Sequence, residues 1–158
     1  YWNLNWKYYR TISSIGCSWF WKQRSMSDIP YKGTVLLLDD DKFLLDMYTA
    51  KFNAAGYAIE ACLSGKIALT TLRNGLKPAV ILFDITMPEL DGLSFLKTLS
   101  DEGLAPDALK IALSNRDNET EKTEALKLGT ARYIIKASMI PSEVVGAVEE
   151  VLARNKSQ

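Results

Sequence analysis

Three apolar runs in this chain break off at charged residues. Val35-Leu36-Leu37-Leu38 ends at Asp39-Asp40, Val80-Ile81-Leu82-Phe83 at Asp84, and Tyr133-Ile134-Ile135 at Lys136. Apolar runs without polar alternation read as strands buried on both faces, the pattern of a parallel sheet covered by helices. From Thr34 onward such runs alternate with amphipathic helical segments, so the fold class is α/β with a doubly wound, five-stranded parallel sheet, (βα)5. Open sheets of this kind gather ligands at the carboxyl ends of their strands. Three carboxylates and one amine are therefore placed where a site would form.

The five units follow from periodicity and punctuation. A strand at Thr34–Leu38 leads to a helix at Lys42–Ala55 with Leu44, Met47, Tyr48 and Phe52 on one side and Gly56 as its stop. A second strand, Tyr57–Cys62, precedes a helix capped by Ser64, carrying Ile67, Leu69 and Leu72, and ended by Gly75. The third strand is Ala79–Phe83, and its helix, Gly92–Leu99, is capped by Asp91 and buries Leu93, Leu96 and Phe95. The fourth strand, Leu109–Leu113, precedes a helix opened by the capping box Asn118-x-x-Glu121 and closed by Gly129. The fifth is Ala131–Ile135. Pro141 suits the first turn of a last helix bearing Val144, Val148, Val151 and Leu152.

Composition removes several functions. The 158 residues include no histidine, which excludes His-based acid/base catalysis, Ser-His and Cys-His nucleophiles and histidine metal sites. Residues 1–33 hold five of the 19 Lys/Arg and one of the 19 Asp/Glu, leaving fourteen and eighteen for the rest. That mildly acidic body is a poor match for direct nucleic-acid binding. Cys17 and Cys62 lack disulfide or CxxC spacing, and a reducing cytoplasm is the simpler setting. All four tryptophans (Trp2, Trp6, Trp19 and Trp21) precede Met26, so residues 1–31 read as an aromatic-rich extension, non-native or dispensable. The apolar stretch from Ile12 to Trp21 is interrupted by serines and is short of the roughly 20 residues that span a bilayer.

The strand-end residues define the chemistry. Two carboxylates about 4 Å apart repel by roughly 4 kcal/mol at an effective dielectric of 20, so a converging cluster calls for a cation. Oxygen ligands alone favour Mg²⁺, which typically takes one or two carboxylates and a phosphate and keeps several waters. A carboxylate beside such a metal is able to attack phosphorus. Lys136 is positioned to pair with phosphoryl oxygens, and Ser114 to donate a hydrogen bond to one.

At these residues the sequence resembles the receiver domains of two-component response regulators. The resemblance covers residues 33–155 and rests on Leu38-Asp39-Asp40, the stretch Asp84-Ile85-Thr86-Met87-Pro88-Glu89-Leu90-Asp91-Gly92, Leu113-Ser114, and Tyr133-Ile134-Ile135-Lys136. It implies a flavodoxin-like sheet in order 2-1-3-4-5, a receiver domain over residues 32–158, and Asp84 as phospho-acceptor. It further implies Mg²⁺ held by Asp39, Asp40, Asp84 and the Thr86 backbone carbonyl, with Asp39 helping largely through water. Ser114 and Lys136 would contact the phosphoryl group, Ser114 and Tyr133 would form the switch, and Thr86 and Arg116 would tune phosphoryl lifetime. The readout surface would be the fourth helix, fifth strand and fifth helix. A cytoplasmic sensor histidine kinase or histidine phosphotransfer protein is the implied donor, with a downstream protein target and a phosphorylation-dependent homodimer as further partners. The protein would be a signalling switch, not an enzyme, and read literally a stand-alone receiver without an output domain. The pattern departs from the family at Ala137, where a proline commonly follows the lysine, and at Asn115, where a small residue commonly follows the hydroxyl.

A different function class uses the same residues. In a phosphatase of the haloacid dehalogenase type, Asp39 of Asp39-Asp40-Asp41 would be the nucleophile, Ser114 the second motif and Lys136 the lysine. That family needs a further acidic pair after the lysine. Ala137 to Pro141 contains no acid, and Asp84 would be left without a role.

Overall fold

The computed structural model describes residues 30–157. The elements run β1 (Gly33–Leu38), α1 (Lys42–Ala54), β2 (Tyr57–Cys62), α2 (Gly65–Arg73), β3 (Val80–Asp84), α3 (Gly92–Glu102), β4 (Leu109–Ser114), α4 (Glu119–Lys127), β5 (Thr130–Ile135) and α5 (Pro141–Lys156). The five strands form one parallel sheet in order β2-β1-β3-β4-β5, which is the expected architecture. The aromatic-rich residues 1–29, Cys17 among them, lie outside the described residues.

Strand alternation sorts the apolar runs into two layers, because successive side chains point to opposite faces. Leu36, Leu38, Ile81, Phe83 and Ala112 pack with α2, α3 and α4. Val35, Leu37, Leu82, Ile111, Leu113 and Ile134 pack with α1 and α5. The four side chains of the β1 run and of the β3 run are each at most 1% exposed. Burying one aliphatic or aromatic side chain is worth about 1.5–3 kcal/mol, so these two runs anchor both cores.

The helices differ from expectation in which residues they bury. In α1 the buried side chains are Leu45, Tyr48 and Phe52, while Leu44 and Met47 are only half-buried. In α2 Ala68, Leu69 and Leu72 face the core, and Ile67 is 51% exposed. In α3, which runs on to Glu102, Phe95, Leu96 and Leu99 are buried and Leu93 only partly. Adjacent apolar residues admit two neighbouring helical faces, and the sheet selects one of them. Caps stand where expected. Ser64 Oγ accepts from Ile67 N–H and Asp91 Oδ1 from Ser94 N–H. Asn118 Oδ1 accepts from Thr120 and Glu121 N–H, so α4 has the N-cap half of the expected box, while the Glu121 carboxylate makes no return bond to Asn118 N–H. At α5 the Glu143 carboxylate accepts from Ile140 N–H, ahead of Pro141 in the first turn.

Candidate functional site

Register brings the strand ends together. Leu38 pairs with Phe83 and Asp84 with Leu113, so Asp39 and Asp84 emerge side by side from β1 and β3. Asp39 continues the alternation of Val35 and Leu37, Asp84 that of Val80 and Leu82, and Lys136 that of Ile134. All three thus start from the sheet face that carries α1 and α5. Lys136 follows a strand two places from β3, roughly 10 Å away at the usual strand spacing. Its long side chain closes the gap. The ammonium donates to Asp39 Oδ2 at 2.5 Å and to Asp84 Oδ2 at 2.8 Å.

These charges are buried. Asp39 is 2% and Asp84 1% exposed, while Asp40 is open to solvent. The three carboxylates present oxygens that all lie within 4.8 Å of one another. Three negative charges against one ammonium leave a local excess of two, which a single divalent cation matches. Burial pushes the Asp39 carboxyl up from its ordinary range, more than the hydrogen bonds from Lys136 and the Asp41 N–H pull it down. Burial works against the charge on Lys136, but hydrogen bonds to Asp39 and Asp84 outweigh it and hold its pKa above the ordinary value. The ammonium is therefore fixed as a cation between two carboxylates.

Backbone donors complete the frame. Asp39 Oδ1 accepts from Asp41 N–H at 2.9 Å, and Asp84 Oδ1 from Thr86 N–H at 3.0 Å. Asp41 itself caps α1, its Oδ1 accepting from Phe43 and Leu44 N–H. That role was signalled by an aspartate just ahead of a helical pattern. Beyond Asp84, the loop to α3 folds under Gly92, whose N–H donates to Ile85 O at 2.9 Å. A Cβ at Gly92 would run into the Asp84 carbonyl oxygen and lie 2.8 Å from Ile85 Cα. Thr86, Met87, Asp91 and Glu121 border a shallow cleft of about 310 Å³ beside the site.

Ser114 and Tyr133 are turned elsewhere. Ser114 ends β4 on the alternation of Ala112, the face opposite to Asp84, and is fully buried. Its Oγ donates to Arg116 O at 3.0 Å and accepts from Arg116 N–H at 3.2 Å. Tyr133, half-buried on β5, donates its hydroxyl to the same Arg116 carbonyl at 3.2 Å. The structure thus joins Asp39, Asp40, Asp84 and Lys136 directly, with Thr86 through its N–H. Ser114, Tyr133 and Arg116 form a second cluster among themselves. After Lys136 the chain makes a 3-10 turn, Lys136–Ser138, with Ser138 Oγ donating to Ile135 O at 2.7 Å. No described peptide bond is cis, so the position of Ala137 needs no proline-type geometry. Cys62, at the end of β2, is no nucleophile: burial pushes its thiol up to about 11.

A parallel sheet in order 2-1-3-4-5 with a buried Asp-Asp-Lys constellation at its carboxyl edge defines a flavodoxin-like α/β protein whose acidic cluster fits a divalent cation. The model of the response regulator receiver domain matches residues 35–149, and the chain belongs to that family, the signalling receivers of two-component systems. It is 30% identical over 122 residues to the response regulator SaeR of Staphylococcus aureus, an alignment that covers 77% of this chain and 51% of SaeR. The chain thus spans about half the length of the curated relatives it matches. The Francisella response regulator 1452 receiver domain is 33% identical with a TM-score of 0.69, covering 78% of this chain and 99% of that one. The chemotaxis protein CheY4 of Vibrio cholerae, 23% identical with a TM-score of 0.69 and coverage of 75% and 97%, shares the fold. No described helix is long and apolar enough to cross a membrane.

Proposed function

We propose that the protein is a phosphorylation-activated switch in which Asp84 accepts a phosphoryl group from the phosphohistidine of a sensor kinase or phosphotransfer protein. The observation that carries this reading is the clamp on Asp84: a buried carboxylate held by the Lys136 ammonium on one oxygen and by the Thr86 N–H on the other. An Asp84 oxygen attacks phosphorus, the bond to the donor's imidazole nitrogen breaks, and the electron pair leaves with the imidazole. Asp39, Asp40, Asp84 and the Thr86 carbonyl would hold Mg²⁺, and the all-oxygen donor set with its local excess of negative charge suits that ion. When bound, the metal offsets charge building on the phosphoryl oxygens. Lys136 swings its ammonium from the carboxylates to those oxygens, and Ser114 leaves the Arg116 loop to donate to another. Tyr133, bonded to that loop, follows, and the surface of α4, β5 and α5 changes for a protein partner or a second copy. Thr86 and Arg116, beside the acceptor and the hydroxyl, set phosphoryl lifetime. A cytoplasmic location accompanies a kinase donor.

The test is labelling with acetyl phosphate and Mg²⁺, followed by peptide mass mapping. The label falls on the peptide containing Asp84, is absent in Asp84→Ala and without Mg²⁺, and persists at a reduced level in Asp39→Ala. A label that survives loss of Asp84 but not of Asp39 would replace this reading with the phosphatase-type nucleophile.

A further inference from the structure

The loop from Ile85 to Asp91 carries the Thr86 carbonyl, and it is seated on the first turn of α2. Leu90, partly buried, packs against the apolar layer shared with α2, α3 and α4 and lies over Gly65. A Cβ built at Gly65 would lie 2.8 Å from Leu90 Cδ2, 3.2 Å from its Cγ and 3.3 Å from its Cβ. Glu89 beside it adopts the left-handed conformation, φ 65°, and its carboxylate meets Lys66 at 2.8 Å. Both of those side chains are well exposed, so solvent screens the ion pair. The apolar seat is the stronger hold. Leu90 N–H donates back to Pro88 O at 2.8 Å and Gly92 N–H to Ile85 O at 2.9 Å, so the loop is tightly tied within itself. Thr86, four residues before Leu90 in the same loop, is held in turn by its N–H on Asp84 Oδ1.

We propose that Gly65 is a positioning residue for the metal site: its missing side chain lets Leu90 sit against α2, and that seat sets the Thr86 carbonyl relative to Asp39, Asp40 and Asp84. The inference rests on the reading of that cluster as a Mg²⁺ site. Gly65 is the first residue of α2, next to the Ser64 cap, and its backbone is not in the left-handed region, so alanine meets no backbone strain there. Weakened metal binding in Gly65→Ala would thus come from the contact with Leu90.

Mg²⁺ affinity of the full chain is measured by titration calorimetry for the wild type, Gly65→Ala, Leu90→Ala and the double variant, together with the acetyl phosphate labelling rate at saturating Mg²⁺. Gly65→Ala weakens Mg²⁺ by roughly tenfold, in the range typical of residues that orient metal ligands, while the labelling rate at saturation stays within about twofold of wild type. Leu90→Ala, which empties the seat, itself weakens Mg²⁺ by about threefold, and the double variant matches Leu90→Ala alone because the added Cβ has lost its closest contacts, a coupling that general destabilisation would not produce. Leu90→Phe, which overfills the same contact from the loop side with α2 unchanged, weakens Mg²⁺ as Gly65→Ala does. Unchanged affinity in both Gly65→Ala and Leu90→Phe, or a double variant no better than Gly65→Ala, would overturn the proposal. Failure of the wild type to bind Mg²⁺, or full binding by Asp40→Ala, would instead overturn the metal-site reading beneath it.

Discussion

Asp39 shows what the site costs the fold. Its carboxyl titrates above its ordinary value because burial outweighs the help of Lys136, so the folded protein binds that proton more tightly than the unfolded chain. Stability from this group is complete below the ordinary value of 3.8 and is lost as pH rises through the higher folded value. At neutral pH the ionised Asp39 is thus a burden kept for function. Asp39→Asn removes the charge yet keeps an oxygen for Lys136. In metal-free buffer at pH 7 it raises the thermal midpoint, because the ionised carboxylate it removes is the form that burial disfavours. The gain shrinks as pH falls toward the ordinary carboxylate range. A calorimetric pH series on both proteins tests this, and a lower midpoint for Asp39→Asn at pH 7 would refute it. Lys136 was legible as a charge closing an apolar run and, through the family resemblance, as a phosphoryl contact. Its bond to Asp39 was not, because reach across two strands depends on sheet order and side-chain direction.

At the scale of elements, α3 is placed by Gly92 more than by its own helical pattern. Its leucines are spaced for burial, but only a residue without Cβ lets the helix start against the Asp84 carbonyl and Ile85 Cα. Gly92→Ala forces α3 or the end of β3 to shift and costs about 1–3 kcal/mol, as overpacking does in close-packed cores. Urea unfolding measures that loss, and a change below about 0.5 kcal/mol would show that the contact relaxes freely. The strands were legible because unbroken apolar runs leave little choice of face, both faces being covered. The helical faces were less so. Leu44 and Leu45 are neighbours in sequence and both meet the cluster formed with α5, yet only Leu45 is buried in it. The seat of Leu90 on Gly65 was invisible for a related reason: it joins residues 25 apart by position in space, and no local pattern marks either of them.

At the scale of the molecule, the described domain is fastened at both ends of its chain. Lys32 donates its backbone N–H to Gly56 O at 2.9 Å and its ammonium to Glu149 at 2.6 Å. Arg132 holds Glu150 at 2.9 Å. Glu149 and Glu150 on the last helix therefore tie α5 to the start of β1 and to β5. A domain closed in this way at Lys32 predicts that a chain lacking residues 1–25 behaves as the full chain does. In both, Mg²⁺ at 100 times its dissociation constant stabilises folding by about 2.7 kcal/mol. Denaturant curves with and without the metal test this, and loss of the Mg²⁺ effect on truncation would contradict it. The Arg116 carbonyl takes hydrogen bonds from both Ser114 and Tyr133, so the tie between β4 and β5 runs through a main-chain atom that every amino acid supplies. The exposed side chain at position 116 can therefore be exchanged without breaking this link, whereas loss of either hydroxyl would cut it.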